Sequence, residues 1–170
     1  FDTHGCDLSP KAVAWCRSRG HDVVVSGFPG SPFPPDRFDV VCAMQFIEHT
    51  IDLQRFAAEL VGLAKPGGIV IVATESIWMA QARFDRFSHW IRGVSQRFRS
   101  SHDHTLLFEP GHVRRVLQQA GCDRAVSTKY TQQIDARESL HWKLYKGTMR
   151  LIDRLTGSAE CHVTVAWKRQ

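Results

Sequence analysis

Phe38-Asp39-Val40-Val41-Cys42-Ala43, then Asp52 through Leu63, then Lys65-Pro66-Gly67-Gly68 ahead of Ile69 to Thr74, is the stretch on which the fold turns. The opening run offers apolar side chains to both faces, as a parallel strand buried between two layers does. Leu53, Phe56, Leu60 and Leu63 recur at helical spacing until Lys65-Pro66-Gly67-Gly68 stops the helix and turns the chain. Ile69 to Thr74 reads as a second buried strand.

The same alternation extends in both directions. Upstream, Ser9-Pro10 combines an N-cap serine with proline at the first helical position, predicting a helix over about 10–19 that Gly20 ends, with Val13 and Cys16 inward. Val23-Val24-Val25 is a short strand, and the proline-rich segment from Phe28 to Pro35 is a loop with few backbone donors. Downstream, Trp78, Phe84, Phe87, Trp90, Ile91, Val94 and Phe98 trace a longer helical pattern that the polar stretch Ser100 to Thr105 breaks. Pro110 opens another helix, with Val113, Val116, Leu117 and Ala120 inward and Gly121 at its end; a strand follows over about 122–131 and a helix near 137–155. The tail alternates Cys161, Val163, Val165 and Trp167 against His162, Thr164, Ala166 and Lys168, the pattern of a half-buried strand. This order predicts an α/β fold, a Rossmann-like doubly wound and mostly parallel sheet closing on an antiparallel C-terminal strand.

With 170 residues, 43% of them hydrophobic, the chain suits one domain with one core. We take 1–170 as a single domain with a helical lid insertion over 77–108. The five cysteines are odd in number and scattered, with no CxxC pair, which points to a reducing cytosol rather than a disulfide framework or a zinc site. No apolar run reaches the length of a membrane span, and no signal-peptide pattern opens the chain. The net charge of +5 is concentrated locally: Arg83, Arg86, Arg92, Arg97 and Arg99 share a stretch in which Asp85 is the lone acid.

Gly5-Cys6-Asp7-Leu8-Ser9-Pro10, Phe38-Asp39-Val40-Val41, Glu48-His49, Lys65-Pro66-Gly67-Gly68 and Phe108-Glu109-Pro110 leading to Ala120-Gly121, in that order and spacing, resemble the class I S-adenosylmethionine-dependent methyltransferases. Within these the set is most similar to the ubiquinone-biosynthesis-type small-molecule branch. The resemblance implies S-adenosyl-L-methionine as cofactor, lying across the carboxyl ends of the strands at the topological switch point. It makes Asp7 the acid that accepts hydrogen bonds from both ribose hydroxyls and sets Leu8 beside the adenine. It brings Cys42, Ala43, Met44 and Gln45 to the sulfur end. Leu8 and Met44 serve equally as plain core residues.

Two departures stand out. Where the family presents an acid to the adenine amino group, Gly27 and Phe28 stand, so that a ring contact from Phe28 would have to substitute. No E/D-x-G-x-G-x-G string precedes the first strand, and Phe1 opens almost directly on a strand-to-helix junction. The resemblance therefore implies a fragment without the family's first strand and glycine loop, inactive as it stands, its halves meeting across a gap with unpaired strand edges.

Methyl transfer is an in-line displacement governed by positioning, and a base is needed only when the acceptor must lose a proton. His49 is the candidate base and Glu48 its neighbour at the pocket mouth; as structural residues the two would sit in a solvated loop or cap the helix from Asp52. His102-Asp103-His104 lacks third and fourth ligands nearby, so no metal is expected. The basic helix could meet an anionic small-molecule substrate or simply face solvent. The expected reaction is methyl transfer to an oxygen of a metabolite, lipid precursor or sugar; the competing reading is a non-catalytic pseudo-methyltransferase or interaction domain. A dehydrogenase fits the Asp7 and Lys65-Pro66-Gly67-Gly68 pattern less well. A nucleic-acid partner is not expected, since Ala43-Met44-Gln45-Phe46 stands where an N/D-P-P-Y/F motif would lie.

Overall fold

The computed structural model describes residues 1–75, 108–130 and 161–170, together with Lys143, Gly147, Thr148, Leu151 and Leu155, which are helical. The lid expected over 77–108 lies outside the described residues except for Phe108, which is buried, and most of the helix expected near 137–155 lies outside them too. Strand β1 (His4–Asp7) leads into helix α1 (Pro10–Arg17) and strand β2 (Asp22–Val25). Strand β3 (Phe38–Met44), a 3-10 turn (Ile47–His49), helix α2 (Leu53–Leu63) and strand β4 (Ala64–Glu75) follow. Helix α3 (Pro110–Gln119), strand β5 (Cys122–Tyr130) and strand β6 (Cys161–Lys168) complete the described elements.

Local chemistry sets the helix ends. The Ser9 hydroxyl accepts from the Ala12 amide and Pro10 takes the first turn of α1, while the Asp52 carboxylate accepts from the Arg55 amide to start α2. Pro110 opens α3. Lys65-Pro66-Gly67-Gly68 does turn the chain, but inside β4, which begins earlier than expected: Phe38 pairs with Ala64, and the register jumps so that Val40 pairs with Ile69. Gly68 sits where an added Cβ would lie 2.8 Å from the Lys65 carbonyl and 3.2 Å from that of Asp39. The turn therefore requires glycine there because backbone oxygens fill the space.

The strands form two sheets. β1 and β2 make a parallel pair, and the second sheet runs β3-β4-β6-β5, parallel between β3 and β4 and antiparallel thereafter. The antiparallel C-terminal strand is thus as expected. So is the division into halves, for β1 and β3 do not pair. One face of the larger sheet, carrying Val41, Ala43, Val70, Val72 and Ala166, packs under α2 and α3 through Phe56, Leu60, Val61, Val113 and Leu117. Burying each of the larger side chains contributes about 1.5–3 kcal/mol, which makes this layer the main source of stability.

The alternation in β6 turns out to bury the side that looked more polar. His162, Thr164 and Ala166 are fully buried on the helix-covered face, whereas Val163, Val165 and Trp167 are only half-buried. The physical reason lies in register: His162 pairs with Thr74 and Thr164 with Val72, on the face that α2 and α3 cover, and Thr164 is satisfied by the Ser127 hydroxyl at 2.7 Å. At the opposite end of β6, the Lys168 ammonium donates to Asp36 at 2.5 Å and to the Ala64 carbonyl at 2.8 Å, fastening the sheet to the end of α2.

Gly68→Ala should destabilise the protein by about 1–3 kcal/mol, because the methyl group meets backbone rather than a movable side chain. Urea unfolding followed by circular dichroism measures this, and an unchanged midpoint would show that the turn relaxes freely.

Candidate functional site

A cavity of about 280 Å³ opens between β1 and β3 at the place where the sheet divides. β1 supplies His4, Gly5, Cys6 and Asp7 to its wall, and β3 supplies residues 40–44. The proline-rich loop supplies Phe28, Ser31 and Phe33, and the floor is Phe46, Phe56 and Leu60. Because β1 and β3 both end at this cavity with their carboxyl termini, Asp7 and Met44 come to its rim together. The strands' amino ends are joined across the gap by His4, whose Nδ1 lies 2.6 Å from Asp22 and whose Nε2 lies 3.2 Å from the Arg37 guanidinium. His4 also packs on Phe33 and Phe38, with ring centroids 6.1 and 5.8 Å away.

Five of the residues singled out in the sequence share this wall: Asp7, Phe28, Cys42, Ala43 and Met44. Asp7 Oδ1 accepts from the Ser9 amide at 2.7 Å. That bond holds the carboxylate at the strand end, and Oδ2 has no hydrogen bond among the described residues. Leu8 and Gly27 stand off the wall, against one another: an added Cβ on Gly27 would lie 3.3 Å from Leu8 Cδ2. Gln45, at φ 52°, turns the chain away from β3; its amide donates to the Ala73 carbonyl and its side chain reaches Cys161 Sγ at 3.5 Å.

Glu48 and His49 are also off the wall. His49 is exposed. Glu48, expected at the pocket mouth, is instead fully buried, with Oε2 accepting from the Thr74 hydroxyl at 2.8 Å. The pattern Ile47-Glu48 at the start of a 3-10 turn aims both side chains into the core, which a loop reading of the segment does not reveal.

Sequence reasoning missed the aromatic floor. Phe28 meets Phe56 edge-on at 5.3 Å and Phe46 at 6.3 Å, while Phe46 stacks on Phe56 at 5.8 Å. The phenylalanines spaced through the proline-rich loop were the available signal. Both cavity thiols are weak nucleophiles: burial raises the pKa of Cys6, with the Asp7 and Glu59 carboxylates adding to the effect, and burial alone raises that of Cys42. No cluster of metal-ligating side chains occurs among the described residues, and no helix among them is long and apolar enough to cross a membrane.

Residues 1–72 match the sequence pattern of the methyltransferase domain family. A 41-residue segment is 49% identical to a ubiquinone biosynthesis O-methyltransferase of Rhodopseudomonas palustris (strain BisB18), covering 24% of this chain and 16% of that one. In fold, the chain superposes on the Haloferax volcanii protein solved in complex with the Trm112 methyltransferase activator, with a TM-score of 0.70 at 19% identity over 98% of this chain and 72% of that one. The chain has a methyltransferase fold. A phosphoethanolamine N-methyltransferase 2 of Haemonchus contortus, solved with S-adenosyl-L-methionine, shares this methyltransferase fold with a TM-score of 0.65 at 16% identity, over 99% of this chain and 44% of that one. The methyltransferase signature in the sequence ends within β4, so that the half carrying β5 and β6 is related through the fold.

One buried group gives the fold a pH signature. His162 is completely buried, neither ring nitrogen has a hydrogen-bond partner among the described residues, and burial pushes its pKa down to about 4. The unfolded chain, with a histidine pKa of about 6.5, binds the proton more readily than the native state. Stability from this residue is therefore fully present above about pH 6.5 and is lost as pH falls toward 4. Between pH 7.5 and 5 the loss should be about 2 kcal/mol. His162→Leu should flatten that part of the urea-midpoint profile, and an equally steep profile in the variant would assign the slope to another group.

Proposed function

We propose that the chain forms the body of an S-adenosylmethionine-dependent methyltransferase that acts on an oxygen of a small molecule, a metabolite, lipid precursor or sugar. The observation that carries this reading is Asp7, held at the carboxyl end of β1 on the rim of the cavity with one carboxylate oxygen open to a ligand. A ribose diol fits such an oxygen as donor, and the apolar wall of Phe28, Phe46 and Leu60 fits a purine better than it fits a charged group. The exposed Met44 end of β3 remains for the methionine portion.

When bound, S-adenosylmethionine supplies the electrophilic methyl group. The protein's own work is to bind the nucleoside, orient the acceptor and exclude water. His49, exposed just past the end of β3, is our candidate for taking the acceptor's proton. Glu48 then acts from beneath, its bond to Thr74 fixing the 3-10 turn that carries His49. The segment 77–108 would cover the acceptor as a lid, its arginines serving an anionic substrate, in a cytosolic setting that suits five free cysteines.

A second reading, a non-catalytic domain of the same fold, is favoured by Phe28, which stands where an adenine-binding acid is expected and is packed on Phe46 and Phe56.

Calorimetry with S-adenosylhomocysteine on the full-length gene product separates the two readings. The enzyme reading predicts binding that Asp7→Ala weakens by roughly 1–3 kcal/mol, the scale of one lost buried hydrogen-bonding group; absence of heat from folded protein supports the non-catalytic domain. His49→Ala should lower turnover at least tenfold with cofactor affinity unchanged, and a loss of affinity alone would remove His49 from the role of base.

A further inference from the structure

The structure assigns Glu59, a residue outside the cavity, the task of holding the loop that forms the cavity's Phe28 end, and with it the affinity of the nucleoside site proposed above. Glu59 lies on α2, on the helix surface beside the proline-rich loop. Its Oε1 accepts from the Gly30 amide at 2.7 Å and also from the Ser31 amide, while Oε2 lies 2.9 Å from the Gly30 amide. Two successive backbone N–H groups thus converge on one carboxylate, the arrangement of an anion-binding nest. Gly30 reaches it at φ 116°, a conformation that side-chain-bearing residues rarely adopt.

This contact fixes more than two amides. The Ser31 hydroxyl, next along, accepts from the Phe33 amide at 3.1 Å, and the Ser26 hydroxyl donates to the Gly30 carbonyl at 3.3 Å. The loop from Ser26 to Phe33 is therefore closed on itself and tied to α2 from its polar side through Glu59, while the Phe28 ring meets Phe56 of the same helix from the apolar side. Phe28, Ser31 and Phe33 all come from this loop to the cavity wall. The loop has no strand or helix of its own to order it, since Phe28 to Pro35 contains four prolines that cannot donate. Charge-assisted hydrogen bonds to a carboxylate are about twice as strong as neutral ones, so Glu59 is a strong polar tether for the loop.

Glu59 does not touch the cavity, so it is a positioning residue: it acts through Phe28. Removing it should leave the helix and the sheet intact, because the side chain is only half-buried and the α2 residues of the core, Phe56, Ala57, Leu60 and Val61, are unaltered. It should free the loop, and with it the aromatic wall.

The test measures amide hydrogen exchange of residues 26–35 and S-adenosylhomocysteine affinity in the full-length wild type, Glu59→Ala and Glu59→Gln. For Glu59→Ala we expect exchange at Gly30 and Ser31 to rise at least tenfold and affinity to fall about tenfold, with turnover at saturating cofactor unchanged. Glu59→Gln, which keeps one accepting oxygen, should lie between the two. The melting temperature is followed alongside to show that α2 stays folded. Unchanged exchange in Glu59→Ala, or a freed loop with wild-type affinity, would overturn the assignment while leaving the methyltransferase reading in place. Absence of binding by the wild type would instead overturn that reading and this assignment with it.

Discussion

A parallel strand satisfies its backbone only when both neighbours are present, and among the described residues β1 and β3 each have just one. The Asp7 carbonyl accepts from the Ser26 amide on the β2 side, and the Gln45 amide donates to Ala73 on the β4 side. By the alternation of a strand, the N–H and C=O groups of Cys6 on one side, and of Cys42 and Met44 on the other, are then directed toward the cavity. Backbone groups left unpaired in a dry interior would each cost about as much as a lost hydrogen bond. The space between the two edges is therefore an open, partly polar cavity and not a sealed core.

The rest of the site follows from that division. Since the helix-covered layer of α2, α3 and the larger sheet carries most of the burial, the β1–β2 unit is free to stand away from β3. It is joined at its base through His4 and on its flank through the proline-rich loop. The rim then collects what the two strand ends bring: a carboxylate from β1, a thioether from β3 and aromatic rings from the loop. Phe28, Phe46 and Phe56 form one continuous cluster, so the cavity wall and the core share side chains. A change in the loop is consequently felt by α2, and Glu59 closes the same connection from the polar side.

The parts of this that local sequence could carry were legible. Ser9-Pro10 and Asp52 name their helices because capping is a matter of neighbouring residues. Val40 to Ala43 and Val70 to Val72 read as strands because both faces are apolar, but the burial expected on both faces of β3 holds on one only, since Val40, Cys42 and Met44 are exposed. The order of elements then gave the fold and Asp7 its place at a strand end. What stayed hidden depends on partners far along the chain. Glu48 is buried because Thr74, 26 residues away, receives it. His162 is buried because β6 pairs with β4 in the register that turns Thr74 and His162 to the same face, although its own alternation, Cys and Val against His and Thr, favours the opposite choice. The early start of β4 is hidden because the glycines of Lys65-Pro66-Gly67-Gly68 mark a turn, and a strand that continues through a turn looks the same as one that begins after it.

Residue-resolved amide exchange by NMR tests the divided sheet most directly. The account predicts that the Ala43 amide, paired toward β4, is strongly protected, whereas the amides of Cys6, Cys42 and Met44 exchange at least a hundredfold faster. Protection of Cys6 and Cys42 equal to that of Ala43 would mean that the two edges are paired, and would contradict the cavity on which the site is built.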